Sequence, residues 1–248
     1  MSEISAILFD KDGTLFDFGL TWGPWTARFI RELARDAAHA DALAQAMRFD
    51  MRAERHLPDS PFVAGTVDDW MPVLLPLLPE HGAESLLRHI GARAAGTPQV
   101  PAAPLPPLLQ GLRDAGYRLG VATNDGFAPV SQHLAEAGVA HMFDFVAGYD
   151  SGHGPKPAPG MLLAFSRHTG VATDATLMVG DSLHDLTAAR TAGMPAVAVL
   201  TGSAPAEVLA PHAEAVLPSI ASLPDWLKQR KTGTPPSQTG RTGLRMAD

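Results

Sequence analysis

Short apolar runs alternate with stretches of helical spacing along much of the chain. The first run, residues 4–10, is mostly apolar and ends in an acidic cluster beside Gly13. Five later runs are apolar or β-branched, at residues 117–123, 143–148, 176–180, 196–200 and 213–217. Helical spacing separates them, as over residues 105–115 and 127–137. This alternation predicts an α/β fold with a doubly wound, Rossmann-like parallel sheet.

A long section between the first two runs has a different pattern. Residues 16–97 are rich in helix-forming residues and contain Trp22, Trp25 and Trp70, with no convincing strand pattern. The Pro-rich stretch 96–107 then marks the return to strands and helices. We therefore predict an α/β core from residues 1–15 and 98–228, with residues 16–97 inserted as a helical cap. The polar residues 229–248 are predicted to be a flexible tail.

The amino-acid composition limits the kinds of site and partner that the protein can have. The chain has 248 residues and no cysteine, which excludes disulfides, thiolate metal sites and a cysteine nucleophile. A formal net charge of -7 without a basic run argues against nucleic-acid or membrane partners. The N-terminal residues lack the pattern of a secretory signal, and no window reaches the roughly 18 apolar residues of a membrane span. We expect a cytoplasmic protein that acts on a small molecule; its oligomeric state is left open.

The first run ends in a motif that brings two carboxylates together. Strand alternation would point Asp10 and Asp12 to the same side and Lys11 away from them. Two carboxylates so close repel each other unless a hard cation binds or one of them is protonated. An ordinary acidic turn with Asp12 and Gly13 at its corner would not explain the second acid or the preceding strand.

Three further motifs also follow predicted strands. Thr123 and Asn124 could hold phosphate oxygens with a hydroxyl and exposed backbone N–H groups, although a helix cap would look the same. Lys156 lies between prolines that restrict the backbone, which suggests a fixed cation for an anionic substrate. Asp181 follows a predicted strand, at a position suited to a cation ligand. Asp185 forms a capping-box pattern with Ser182, and it could also support the cation ligands from behind.

Parallel strands gather their carboxyl ends at one edge of a doubly wound sheet, where such folds bind ligands. The four motifs should therefore meet there. Together they resemble the haloacid dehalogenase-like hydrolase superfamily, and most closely its phosphoglycolate phosphatase-like branch. The resemblance extends to about Trp226 and is specific for the superfamily rather than for a substrate. One difference is Lys11, where relatives more often have an apolar residue.

The resemblance implies a Mg²⁺-dependent phosphatase that acts on a small phosphate monoester, phosphoglycolate-like or a sugar phosphate. Asp10 would be the nucleophile that becomes an aspartyl-phosphate, and Asp12 the general acid and base. Thr123, Asn124 and Lys156 would bind the phosphoryl group. Mg²⁺ would be held by Asp10, by the backbone carbonyl of Asp12 and by Asp181, with Asp185 supporting this shell.

Three alternatives remain at this point. A dehalogenase of the same fold would need neither Asp12 nor a metal, so Asp12 argues against it. A phosphomutase would keep all of these residues and only protect the aspartyl-phosphate from water. A non-catalytic regulator that binds a phosphorylated metabolite is disfavoured because no essential residue is missing.

Six residues of the predicted cap have an open role. Arg48, Arg52, Arg55 and His56 fall in a stretch that we interpret as helical, with the three arginines on one solvated face. Trp22 and Trp25 are interpreted as packing residues between cap helices rather than as a stacking platform.

Overall fold

The computed structural model describes residues 2–232, and these form a parallel sheet with helices on both faces and an inserted, mostly helical cap. The strands are β1 (Ala6–Phe9), β2 (Phe49–Asp50), β3 (Arg55–His56), β4 (Arg118–Ala122), β5 (Phe145–Ala147), β6 (Thr176–Gly180), β7 (Ala196–Val199) and β8 (Ala215–Leu217). The helices are α1 (Phe18–Leu33), α2 (Ala37–Ala46), α3 (Pro61–Ala64), α4 (Val67–Leu74), α5 (Ala83–Ala95), α6 (Leu105–Asp114), α7 (Phe127–Glu136), α8 (Gly160–Thr169), α9 (Leu183–Ala192), α10 (Ala206–Leu209) and α11 (Leu223–Thr232).

Six strands form one sheet in the order β5-β4-β1-β6-β7-β8, and every neighbouring pair is parallel. Each strand lies within a run that the sequence pattern predicts. The predicted doubly wound α/β fold is therefore confirmed. The strand order places β1 next to both β4 and β6, so that the loops after these three strands are neighbours.

The two faces of the sheet have separate apolar cores, because alternate residues of a strand point to opposite sides. Ile7 and Phe9 of β1 belong to one core, together with apolar residues of α6, α7 and α11. Ala6 and Leu8 belong to the other core, with residues of α8, α9 and α10. The central strands β1, β6 and β7 are buried on both sides, as is usual in parallel sheets, whereas the edge strands β5 and β8 are only partly buried.

The cap contains helices α1–α5 and its own apolar core, which includes Phe29, Ile30, Leu43, Met47 and Leu74. It is joined to the sheet by two adjacent linkers. The backbone N–H of Asp17 donates to the carbonyl of Val100 over 2.8 Å, and that of Ala102 donates to Leu15 over 3.0 Å. The chain thus leaves and re-enters the core at one place, next to the loop that follows β1.

The interpretation of the arginine segment as a helix is wrong. Strands β2 and β3 form a small antiparallel hairpin there, flanked by Arg48 at φ 51° and Glu54 at φ 47°. Two left-handed residues cannot lie within a regular helix. The interpretation of the arginines as solvated agrees with the structure, since the side chains of Arg48, Arg52 and Arg55 are exposed.

The first four residues of the predicted tail, 229–232, belong to a helix. Helix α11 continues to Thr232, where Arg230 pairs with Glu214 at 3.0 Å and Lys231 pairs with Glu3 at 3.0 Å. These ion pairs attach the last turn to the core. The rest of the predicted tail, residues 233–248, lies outside the described residues.

The predicted division into core (1–15 and 98–228) and cap (16–97) remains a prediction about independent domains. Among the helices of residues 2–232, none is long and apolar enough to cross a membrane.

Gly23 tests how closely α1 packs against the hairpin of the cap. A Cβ atom at this buried helical position would overlap the backbone carbonyl oxygen of Glu54. Gly23→Ala should lower the free energy of unfolding, since overpacking costs about 1–3 kcal/mol and outweighs a helix-propensity gain of about 1 kcal/mol. Gly111→Ala, in α6 with open space around it, is the control and should stabilise the protein. Urea denaturation of both variants measures the difference, and equal stabilisation would contradict this packing.

Candidate active site

Each motif that the sequence analysis identified lies in a loop at the carboxyl edge of the sheet. Asp10 directly follows β1, Thr123 follows β4 and Asp181 follows β6. Lys156 lies in the loop between β5 and α8. Because these strands are parallel and adjacent, the loops converge on one point.

A buried ion-pair cluster lies at this point. The Lys156 ammonium is 2.6 Å from Oδ1 of Asp10 and 2.6 Å from Oδ1 of Asp185. Carboxylate oxygens of Asp10, Asp181 and Asp185 lie within 4.8 Å of one another. Asp10, Asp181, Asp185 and Lys156 are all buried. We refer to these four residues as the acidic cluster.

The acidic cluster contains three carboxyl groups and one ammonium, so it is short of positive charge. Burial raises the pKa of Asp10 to about 7, with Asp185 adding to the rise and Lys156 opposing it. Burial also raises the pKa of Asp181 well above its usual range, and the nearby carboxylates of Asp10 and Asp185 add to this. Like charges in a buried site favour protonation or a bound cation.

Helix α9 holds Asp185 in place. The Ser182 hydroxyl donates to Oδ2 of Asp185 over 2.7 Å, and the backbone N–H of Ser182 donates to the same oxygen over 3.1 Å. This is the capping box that the sequence predicts. The other oxygen of Asp185 accepts from Lys156. Asp185 therefore caps the helix and anchors the lysine at the same time.

Two glycines allow the loops to close around Asp181. Gly13 has φ +78°, and a Cβ atom there would overlap the Asp181 carboxylate. A Cβ atom at Gly202 would overlap the same side chain. Gly13 therefore does more than turn the chain after the first motif, because its missing side chain leaves space for the acid of another motif.

Asn124 connects two of the loops. Its amide nitrogen donates to the backbone carbonyl of Lys156 over 2.8 Å, and its amide oxygen accepts from the backbone N–H of Lys156 over 2.8 Å. The paired bonds fix the backbone that carries the Lys156 ammonium. The geometry thus assigns Asn124 a positioning role, while its contact with phosphate remains a prediction. Thr123 is buried at the same edge, and its hydroxyl accepts from the backbone N–H of Asp125 over 3.0 Å.

Strand alternation predicts that Lys11 points away from Asp10 and Asp12, but in the structure its side chain turns toward Asp12. Its buried ammonium lies 3.0 Å from Oδ2 of Asp12, 2.6 Å from Oδ2 of Asp125 and 3.1 Å from Nδ1 of His133. A lysine has three N–H donors, and each has a partner here. Burial alone would lower the pKa of Lys11, but the carboxylates of Asp12 and Asp125 raise it to about 12. Lys11 is therefore a fixed positive charge beside Asp12.

Trp22 is a second contact to Asp12. Its indole N–H donates to Oδ1 of Asp12 over 2.7 Å, so that one cap residue and one core lysine hold the two oxygens of the same carboxylate. The interpretation of Trp22 as a residue that only packs between helices is therefore incomplete. Asp12 itself lies outside the acidic cluster, with its side chain 17 % exposed toward the space between cap and sheet.

The donor set suits a hard divalent cation. Asp10 and Asp181 offer buried carboxylate oxygens to one point, and the described residues place no thiolate and no histidine in that group. Oxygen-only ligands are the preference of Mg²⁺. A divalent cation would also offset the negative charge of the acidic cluster.

Known proteins resemble this chain in sequence and in fold. The chain is 44% identical over 109 residues to the probable phosphatase IndB of Dickeya dadantii, and this alignment covers 42% of the chain and 47% of that protein. It is 40% identical over 120 residues to a phosphoglycolate phosphatase of Rhodospirillum rubrum, covering 48% and 50% of the two chains. The chain thus aligns with about half the length of these curated relatives.

The fold resembles a crystal structure of a predicted phosphoglycolate phosphatase from Haemophilus somnus. The TM-score is 0.69 with 20% identity, over 91% of this chain and 99% of that chain. At this identity the likeness concerns the fold alone. The sequence model of the haloacid dehalogenase-like hydrolase family matches residues 4–193, which is more than half of the chain and includes every residue of the acidic cluster. The protein belongs to the haloacid dehalogenase-like hydrolase family.

Proposed function

We propose that the protein is a Mg²⁺-dependent phosphatase that hydrolyses a small phosphate monoester through an aspartyl-phosphate on Asp10. The observation that carries this proposal is the acidic cluster, in which Asp10 is buried beside a lysine and two further carboxylates. The names of the curated relatives, a probable phosphatase and a phosphoglycolate phosphatase, support phosphate-ester chemistry. Phosphoryl transfer needs in-line positioning and neutralisation of charge, and the cluster provides groups for both.

In the first proposed step, a carboxylate oxygen of Asp10 attacks phosphorus while the bond from phosphorus to the ester oxygen breaks. Asp12 gives a proton to the departing alkoxide. The Lys156 ammonium, already 2.6 Å from Asp10, neutralises charge on the phosphoryl oxygens, and Thr123 is the predicted hydroxyl donor to them. Indole and ammonium contacts keep Asp12 in one orientation for this proton transfer.

In the second step, water attacks the phosphorus of the aspartyl-phosphate. Asp12 takes a proton from that water, the bond from phosphorus to the Asp10 oxygen breaks, and inorganic phosphate leaves. Asp12 thereby returns to its protonated form, and Asp10 to a carboxylate. Mg²⁺, held by Asp10, Asp181 and the backbone carbonyl of Asp12, would stabilise negative charge on the phosphoryl oxygens as a Lewis acid.

Removal of the Asp10 nucleophile tests the proposal directly. Wild-type protein with Mg²⁺ should release inorganic phosphate from an alkyl phosphate, and acid-quenched samples should gain the mass of one phosphoryl group. Asp10→Asn keeps the shape of the side chain but loses the attacking oxygen, so both signals should fall to background. Asp114→Asn, at the exposed end of α6, is the control and should behave like the wild type. A phosphorylated Asp10→Asn protein would overturn this role, and an isomerised ester without free phosphate would indicate a mutase.

Lys11→Met tests whether the buried lysine orients Asp12. Asp12→Asn removes proton transfer itself, which is typically worth about 10²–10⁴ in rate. Lys11→Met should lower kcat on an alkyl phosphate by a smaller factor of about 10, with KM nearly unchanged, because the acid remains but loses one of its two fixed contacts.

The double variant with Lys11→Met and Asp125→Asn separates orientation from simple charge balance. If Lys11 only neutralises Asp125, removal of both charges should restore kcat. We expect the thermal stability to recover in part while kcat stays low. Full recovery of kcat would contradict the orienting role.

A further inference from the structure

A cavity of about 190 Å³ separates the acidic cluster from the cap, and its two sides differ in chemistry. Its floor is polar and includes Asp10, Asp12, Thr123, Lys156 and Asp181. Its walls come from the cap and are mostly apolar, apart from the side chains of Thr26 and His56. The wall residues that matter here are Trp22, Trp25, Phe29, Phe62, Trp70 and Ile90. With the phosphoryl group on the floor, the leaving group of a substrate would lie between these walls.

Aromatic rings are arranged in two groups along the walls. Trp25 stacks on Phe29 with ring centroids 5.0 Å apart, and Trp22 meets Trp25 edge-on at 5.7 Å. In the second group, Phe62 stacks on Trp70 at 5.4 Å. The indole N–H of Trp22 already serves Asp12, so this residue offers only carbon surface to a ligand. Such walls favour apolar and planar groups.

Besides the indole N–H groups of its tryptophans, the cap contributes two polar side chains to the cavity lining, Thr26 and His56, and these two are hydrogen-bonded to each other. Ser60 donates its hydroxyl to the carbonyl of Met47, so Nδ1–H of His56 must donate to the Ser60 oxygen. Burial lowers the pKa of His56 to about 4, so the ring is neutral. Its Nε2 then accepts from the Thr26 hydroxyl at 3.0 Å.

The described walls contain no arginine or lysine. The arginines of the hairpin are exposed, and Arg48 pairs with Asp59 at 2.7 Å instead of facing the cavity. The lining also includes Lys156 and His184, but Lys156 lies in the loop after β5 and His184 in the first turn of α9, both on the sheet side of the cavity, where the phosphoryl group is expected. If the leaving group carried a carboxylate, this charge would have to be transferred from water into the cavity without a positive side chain of the cap to pair with it. Such a transfer is strongly unfavourable.

We propose that the cavity selects phosphate monoesters whose leaving group is uncharged and apolar and about the size of one ring. This inference rests on the proposed function for its reaction, and on the cap walls for its specificity. The cavity of about 190 Å³ must hold the phosphoryl group as well as the leaving group, so one ring is the upper limit for the leaving group, since an apolar cavity of about 150 Å³ accepts benzene. The substrate class then differs from that of phosphorylated acids such as phosphoglycolate, and also from polyhydroxylated sugar phosphates, because most of the cap surface around a sugar would be carbon and would leave most of its hydroxyls without partners.

The test compares esters that differ in the leaving group alone. Benzyl phosphate and 4-carboxybenzyl phosphate share ring and reacting bond, and 2-phosphoglycolate and glucose 6-phosphate represent the two excluded classes. We expect kcat/KM for benzyl phosphate to exceed the values for the other three esters by about 100-fold. Each of those esters would bury a charged or polar group without a partner in the cap. An equal or higher kcat/KM for 2-phosphoglycolate or the sugar phosphate would overturn the inference while leaving the phosphatase intact.

A wall variant tests the cause of this preference. Val67 lines the cavity at the first residue of α4. Val67→Lys should shift the ratio of kcat/KM values toward 4-carboxybenzyl phosphate by about 10-fold, because it supplies the missing positive charge. Val67→Met is the control of similar length, and its ratio should match that of the wild type. Equal ratios in the lysine and methionine variants would contradict a charge-based selection.

A binding measurement separates this inference from the proposed function. Benzylphosphonate and phosphonoacetate are not hydrolysed, and their binding can be followed through the fluorescence of Trp22, Trp25 and Trp70. Tighter binding of benzylphosphonate without turnover of any ester would overturn the phosphatase proposal but keep the specificity of the cavity. Tighter binding of phosphonoacetate would overturn the specificity, whether or not esters are hydrolysed.

Discussion

The buried contact between Lys156 and two carboxylates is the interaction on which the site depends. Lys156 lies 2.6 Å from both Asp10 and Asp185, and Asp181 adds a third carboxyl group to the same small space. Burying unbalanced charge is unfavourable, so the surrounding loops must hold these groups against their repulsion. The same imbalance makes the site receptive to a divalent cation, and a bound cation together with Lys156 would offset the negative charge that a phosphoryl group brings. Stability is thus given up where the proposed chemistry requires it.

The fold supplies what the acidic cluster needs. Parallel strands in the order β4-β1-β6 bring three loops together, and buried apolar residues on both faces of the sheet make these strand ends rigid. Asn124 fixes the backbone of Lys156 with two hydrogen bonds, and Ser182 fixes the carboxylate of Asp185. Lys156 and Asp185 are therefore held by bonds from a neighbouring loop and from a helix end, which is the kind of preorganisation that electrostatic catalysis relies on.

Much of this arrangement can be predicted from the sequence, because it depends on local patterns. Buried strands of a parallel sheet are continuous apolar runs, and the motif residues directly follow them, so topology alone brings Asp10, Thr123 and Asp181 to one edge. The capping box of Ser182 and Asp185 is likewise a local signal.

The roles of Lys11 and Trp22 were missed for a physical reason. Strand β1 ends at Phe9, so side-chain alternation no longer applies at Lys11. The contact from Trp22 to Asp12 depends on how the cap sits over the sheet, which no local pattern encodes. The hairpin was missed because its left-handed residues, Arg48 and Glu54, are not glycines.

Binding of Mg²⁺ tests most directly whether the buried carboxylates form a cation site. Isothermal titration of the wild-type protein should show one Mg²⁺ bound per chain, and the metal should raise the melting temperature because it binds the folded state. Asp181→Asn removes one buried carboxylate oxygen ligand and should weaken binding at least about 10-fold, since a hard cation depends on charged oxygen ligands. Asp174→Asn, whose carboxylate meets only the exposed Ser2 hydroxyl among the described hydrogen bonds, is the control and should bind like the wild type. Equal Mg²⁺ affinity in the Asp181 variant, or no binding to the wild type, would contradict the account.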